Sequence, residues 1–169
     1  MAEDAERPRK RRSLGGWKFI VAIILILGYS AGAAYGVMSD TSVRGLTVKM
    51  FNVSRYCTAQ SSSPRTLNYN VRGAIWSASS IPTSLSHISF TLSVDGSVMG
   101  TATQSDTSFD PGQSVSFNLT FTDPTLNPTM LPLSSKLVLS LSATVAAGLY
   151  SSTEATSDST IQTFASNGC

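Results

Sequence analysis

The sequence predicts an all-β fold, an antiparallel β-sandwich of about seven strands, preceded by one N-terminal transmembrane α-helix. Three observations predict it. Residues 19–38 (FIVAIILILGYSAGAAYGVM) carry no charge, and 20 helical residues span about 30 Å, the thickness of a bilayer's hydrocarbon core. From residue 41 onward apolar side chains recur at every second position, the period of strands with one buried face. Turn chemistry such as Asp95-Gly96 and Asp110-Pro111-Gly112 separates those segments.

The order of segments gives three regions: a basic cytoplasmic tail over 1–16, a transmembrane helix over 17–38, and an extracytoplasmic β-sandwich domain over 39–169. The tail contains RPRKRR. The first 18 residues carry a net charge of +3 and the remainder −1, so the basic balance belongs to the tail. Lys and Arg beside a span stay on the cytoplasmic side, which predicts a single-pass cell-membrane protein with its N-terminus inside and its main domain outside. Trp17 and Lys18 occupy the positions of an interfacial aromatic and a snorkelling lysine.

Within the span, Gly28, Gly32 and Gly36 repeat every four residues and share one helix face. Such a face lets another helix approach closely. A protein partner, or self-association through the helix, is therefore expected alongside the lipid bilayer. Two other readings stay open. The basic start, the apolar run and Ala31-Gly32-Ala33 resemble a secretory signal cleaved after Ala33. A pilin-like protein would instead be cut near Gly16 and pack its apolar helix into a filament.

The strands follow in order. Val43, Leu46, Val48 and Met50 start a first strand that ends near Tyr56. A polar link covers 58–65. Leu67, Tyr69, Val71, Gly73 and Ile75 alternate with polar or small residues in a second strand. Residues 77–84, with Pro82, form a connection. Ile88, Phe90, Leu92 and Val94 make the clearest strand, and Asp95-Gly96 turns it into a return strand over 97–104. After Asp110-Pro111-Gly112, Val115, Phe117, Leu119 and Phe121 point one way. Residues 123–135 contain three prolines and read as a loop. Residues 136–147 form a strand broken by Gly148, and a weakly patterned last strand runs from Leu149 to about Phe164.

The inventory of reactive side chains points away from an enzyme. The one histidine, His87, begins a strand and cannot by itself complete a metal site or a Ser–His–Asp triad. No G-x-S-x-G elbow and no phosphate-binding glycine loop is present. Asp106, Asp110 and Asp123 lie near strand ends but lack calcium-ligand spacing. No cofactor, metal, small-molecule substrate or nucleic acid is expected. Cys57 and Cys169 are candidates for one disulfide on the outer side of a membrane, against two free thiols or an intermolecular bridge. Asn52-Val53-Ser54 and Asn118-Leu119-Thr120 match the N-glycosylation sequon.

The segment 66–100 also resembles a known family. Val71, Ile75, Ile81-Pro82, Ile88, Phe90, Leu92, Val94 and Gly96 follow the core of the late-embryogenesis-abundant group-2 domain, also called the water-stress and hypersensitive-response domain. The later FDPGQSVSFNLTF is similar to that family's turn and alternating strand, and the likeness covers roughly 41–164. The resemblance implies a non-enzymatic β-sandwich, in many members attached to a membrane helix with a basic tail, with stress-protective and membrane-associated roles. It carries no catalytic residues. The expectation is thus a membrane-anchored, outward-facing binding or structural module, or an accessory subunit of a membrane or cell-surface assembly. The alternative is a secreted or pilin-like surface protein.

Overall fold

The computed structural model describes residues 14–60, 63–123 and 132–164. The chain divides after Tyr35 into two compact units. The described part of the first is helical. The described part of the second holds the end of the same helix, α1 (Leu14–Arg44), and eight strands: β1 (Leu46–Gln60), β2 (Ser63–Ser77), β3 (Thr83–Val94), β4 (Ser97–Gln104), β5 (Thr107–Phe109), β6 (Ser114–Asp123), β7 (Ser134–Ala147) and β8 (Tyr150–Thr163). They form two antiparallel sheets. One has the order β1-β2-β6; the other has the order β4-β3-β7-β8, with β5 also paired to β3. The architecture is the β-sandwich preceded by a helix that the alternating pattern predicts.

The core lies between the sheets. Leu67, Tyr69, Val71 and Ile75 from β2 meet Ile88, Phe90 and Leu92 from β3 and Leu137, Leu139 and Leu141 from β7, all essentially fully buried. The Phe90 and Phe117 rings pack across the middle with centroids 4.8 Å apart. Phe117 sits directly over Gly73. A Cβ there would collide with its ring and with the Lys49 carbonyl oxygen, so this position admits only glycine.

Two bulges set which residues face that core. In β1 the pairing shifts between Met50 and Asn52, so the buried parity passes from Leu46 and Val48 to Val53. The extra residue, Phe51, is pushed outward and meets Trp76 edge-on at 5.4 Å. In β3 the pairing shifts between Ser86 and Ser89, with His87 at φ +52°. Leu85 and Ile88 have opposite parity, yet the bulge buries both.

Turns match their chemistry. Asp95 and Gly96 have φ of +50° and +86°, the left-handed pair that a type I′ hairpin needs. Asp95 also fixes its hairpin to β7: its N–H donates to the Lys136 carbonyl at 2.9 Å and its carboxylate accepts the Lys136 N–H at 2.8 Å. The Asp110 turn closes with Gln113 N–H donating to Asp110 O at 3.0 Å, and Gly112 takes φ +77°.

Several expectations need correcting. The helix does not stop at 38 but runs to Arg44, so Val43 belongs to it and not to the first strand. Ser39, Ser42 and Val43 are all buried, the i, i+3, i+4 spacing of a helix face. The expected link over 58–65 is largely strand, because β1 continues to Gln60 and β2 starts at Ser63. β3 begins at Thr83, and the short strand β5 was not expected. Most of the proline-rich loop, residues 124–131, lies outside the described residues, as do the tail residues 1–13.

Candidate functional site

The first unit offers an exposed apolar helix surface. Phe19, Ile20, Ile24, Leu25, Ile26 and Leu27 are half or more exposed, and among the described residues this is the one helix long and apolar enough to cross a membrane. Ser30 donates back to the carbonyls of Ile26 and Leu27 at 2.8 and 3.1 Å, so its hydroxyl is satisfied within the helix. Gly28 and Gly32 have nothing within 4 Å of a Cβ built on either. Together with Ile24, Leu25, Tyr29 and Ala33 they line an open groove.

Gly36, the third residue of the expected packing face, behaves differently. It belongs to the second unit, where a Cβ on it would stand 3.8 Å from the Tyr150 hydroxyl. The small-residue face is therefore open at Gly28 and Gly32 and approached by the sandwich at Gly36. Beyond it, Arg44 and Asp40 form an exposed i, i+4 pair at 3.2 Å. The Thr41 hydroxyl donates to Val37 O at 3.0 Å. Gly45 then lets the chain pass close to Ala78: a Cβ would lie 2.9 Å from that of Ala78, whose N–H donates to Gly45 O at 3.0 Å. The helix end is thus seated in the end of the sandwich formed by the β2–β3 and β7–β8 connections.

At the opposite end Phe164, just after β8, is held to β1. The Arg55 guanidinium lies 4.2 Å above the Phe164 ring and donates to Pro132 O at 2.9 Å. Phe164 N–H donates to Leu133 O at 2.8 Å, and its ring meets Tyr69 edge-on. Burial pushes the Tyr69 phenol above its ordinary value, partly offset by the charge and hydrogen bond of Arg55. Cys57 is two residues along the same face of β1 and is not a free thiol. Its expected partner, Cys169, lies outside the described residues.

The sequons fall on the outer face of the three-stranded sheet. Asn52 is exposed beside the β1 bulge. Asn118 is exposed on β6, and its Oδ1 accepts a hydrogen bond from Asn70 Nδ2 at 2.8 Å; a glycan would be joined to the other atom of that amide. Nearby, buried Asn68 donates to Thr58 at 2.9 Å and accepts from Thr122 at 2.8 Å. This ladder ties β1, β2 and β6 across their outward face.

The acidic side chains do not converge. Asp110 and Asp123 sit at opposite ends of β6, and Asp106 accepts the His87 backbone N–H at 3.3 Å. Among the described residues no group of three His, Cys, Asp or Glu could hold a metal ion. One contact between the sheets was missed by sequence reasoning. Asp158 faces inward from β8 and accepts the Met50 N–H at 2.8 Å across the gap between sheets. A carboxylate on the inner row of a Ser/Thr-rich strand was the available signal.

No family model matches this chain, and no curated protein matches it. Among solved structures it is similar to a protein from Archaeoglobus fulgidus, with 12% identity over 68% of this chain and 97% of that one, at a TM-score of 0.38. A Bordetella pertussis protein given the name ApaA is 12% identical over 73% of this chain and 98% of that one, at 0.40. A β-glucuronidase from glycoside hydrolase family 2 is 12% identical over 71% of this chain but only 13% of its own length, at 0.33. Likenesses at this level carry no argument about function.

Proposed function

We propose that this chain is a single-pass membrane protein that presents a non-enzymatic β-sandwich on the outer side of the bilayer. There it acts as a binding or structural module, or as an accessory subunit of a larger membrane assembly. The observation that carries the reading is the junction. Helix α1 enters the sandwich with Ser39, Ser42 and Val43 buried, so no linker separates the apolar helix from the domain. A free domain that merely needed export would gain nothing from such a seat. A module that must be held at a membrane surface would.

The open Gly28/Gly32 groove supports helix-to-helix contact with a partner or a second copy. The family resemblance adds stress protection as the role to test first. We also propose the Cys57–Cys169 bond. Phe164 is already under Arg55, and the remaining five residues reach about 17 Å, more than the distance from Arg55 to Cys57 along a strand.

Protease treatment of sealed, right-side-out membrane vesicles tests the topology. The reading expects the vesicles to survive an alkaline carbonate wash with the chain still attached. Added protease then reaches the sandwich but leaves residues 1–38 protected. Release of the chain by the wash would favour a cleaved, secreted form.

A further inference from the structure

We infer that the β7–β8 turn of the sandwich rests in the lipid headgroup layer, with Leu149 as its apolar contact and Tyr150 as its interfacial aromatic; this rests on the membrane-anchored reading. Gly36 lies two residues before the end of the uncharged stretch, about 3 Å of helical rise from its outer limit. The Tyr150 hydroxyl approaches Gly36, so Tyr150 sits at the depth where the hydrocarbon core gives way to headgroups. Tyrosine is enriched at that depth, because its ring is apolar and its hydroxyl can stay wet.

Leu149 is at the tip of the same turn. At 81% exposure it is the most exposed large apolar side chain described in the sandwich unit. Left in water, it would keep most of its apolar area hydrated; in the interface it loses that contact at no cost in packing. Charge agrees. No acidic or basic residue occurs between Ala146 and Thr153, and the β2–β3 connection over 78–82, at the same end, is uncharged as well. Asp110 is the one unpaired acidic side chain in the described loops of this end, and Asp40 is paired to Arg44. The source of the contact is lipid, since the helix that brings the turn to this level is the one exposed to lipid.

The far end of β8 supplies an internal control. Ile161 is 74% exposed, yet it pairs with Lys136 at the other end of the hairpin, about 36 Å further along the strand. The test uses the full chain in vesicles of phosphatidylcholine with a minor fraction of phosphatidylglycerol. Leu149→Trp and Ile161→Trp are each made in a Trp17→Phe/Trp76→Phe background, with nitroxide-labelled lipid as quencher. The inference expects tryptophan 149 to emit at shorter wavelength and to be quenched several-fold more than tryptophan 161. Equal, weak quenching in chains that float with the vesicles would overturn the inference and leave the anchoring intact. Chains that fail to float would overturn both.

Discussion

The backbone N–H of Met50 in β1 donates to the carboxylate of Asp158 in β8 at 2.8 Å. The two strands are edges of different sheets, so this bond links the sheets along one open side of the sandwich. It falls where the β1 bulge disrupts the ladder between Met50 and Asn52. The other carboxylate oxygen accepts the Ser159 N–H at 2.9 Å.

Asp158→Ala removes the acceptor and leaves a partly buried N–H unpaired. A loss of about 1.5–3 kcal/mol in urea unfolding is expected, the range for hydrogen bonds to charged groups. Asp158→Asn keeps an oxygen in place and should lose about half as much. Equal stability of all three chains would show that the contact closes nothing.

Gly73→Ala should destabilise more than an ordinary strand substitution. The Lys49 carbonyl that its Cβ would strike is backbone and cannot rotate away. A loss of about 2–3 kcal/mol is expected, and Phe117→Leu in the same chain should recover little of it. A chain that unfolds like the wild type would contradict the close packing.

Tyr69→Phe tests the Arg55 cluster through pH. The folded phenol titrates above its ordinary value of 10.0 because it is buried. Stability from the neutral phenol is therefore fully present below about pH 10 and declines as pH rises through the folded value. The variant should be less stable than the wild type by about 1 kcal/mol at neutral pH, and the gap should narrow above pH 10. A constant gap would mean that Tyr69 does not titrate with unfolding.

Cys57→Ser should lower the free energy of unfolding by about 2–4 kcal/mol if the bond to Cys169 forms. The intact mass of the wild-type chain should rise by two protons on reduction. An unchanged mass would rule the bond out.

Gly32→Leu fills the open groove that Gly32 lines with Tyr29 and Ala33. It should reduce co-purification of a partner, or the dimer band, several-fold while the domain's unfolding is unchanged. Undiminished association would remove this face from the proposal.

Much of the sandwich was legible because β6 and β7 keep one parity along their length, as in Leu137, Leu139, Leu141, Ala143 and Val145. What could not be read has definite causes. Bulges break parity in β1 and β3, so Leu85 is out of phase with Ile88 in the sequence though both are buried. The helix end hides its buried face behind serines at 39 and 42. β8 looked weakly patterned because its inward row is polar, from Glu154 through Asp158 to Gln162. Of the candidate positions, the spacing puts Gly28 and Gly32 on one helix face, and both line the open groove. The approach of Tyr150 to Gly36 was not legible, since no local pattern links residues so far apart in sequence.

The most direct test of the anchored reading is the intact mass of the chain purified natively from membranes in mild detergent, with its companions retained. The account predicts a chain that still contains residues 17–38, recovered from the membrane fraction. A soluble chain beginning at Ala34 would contradict it.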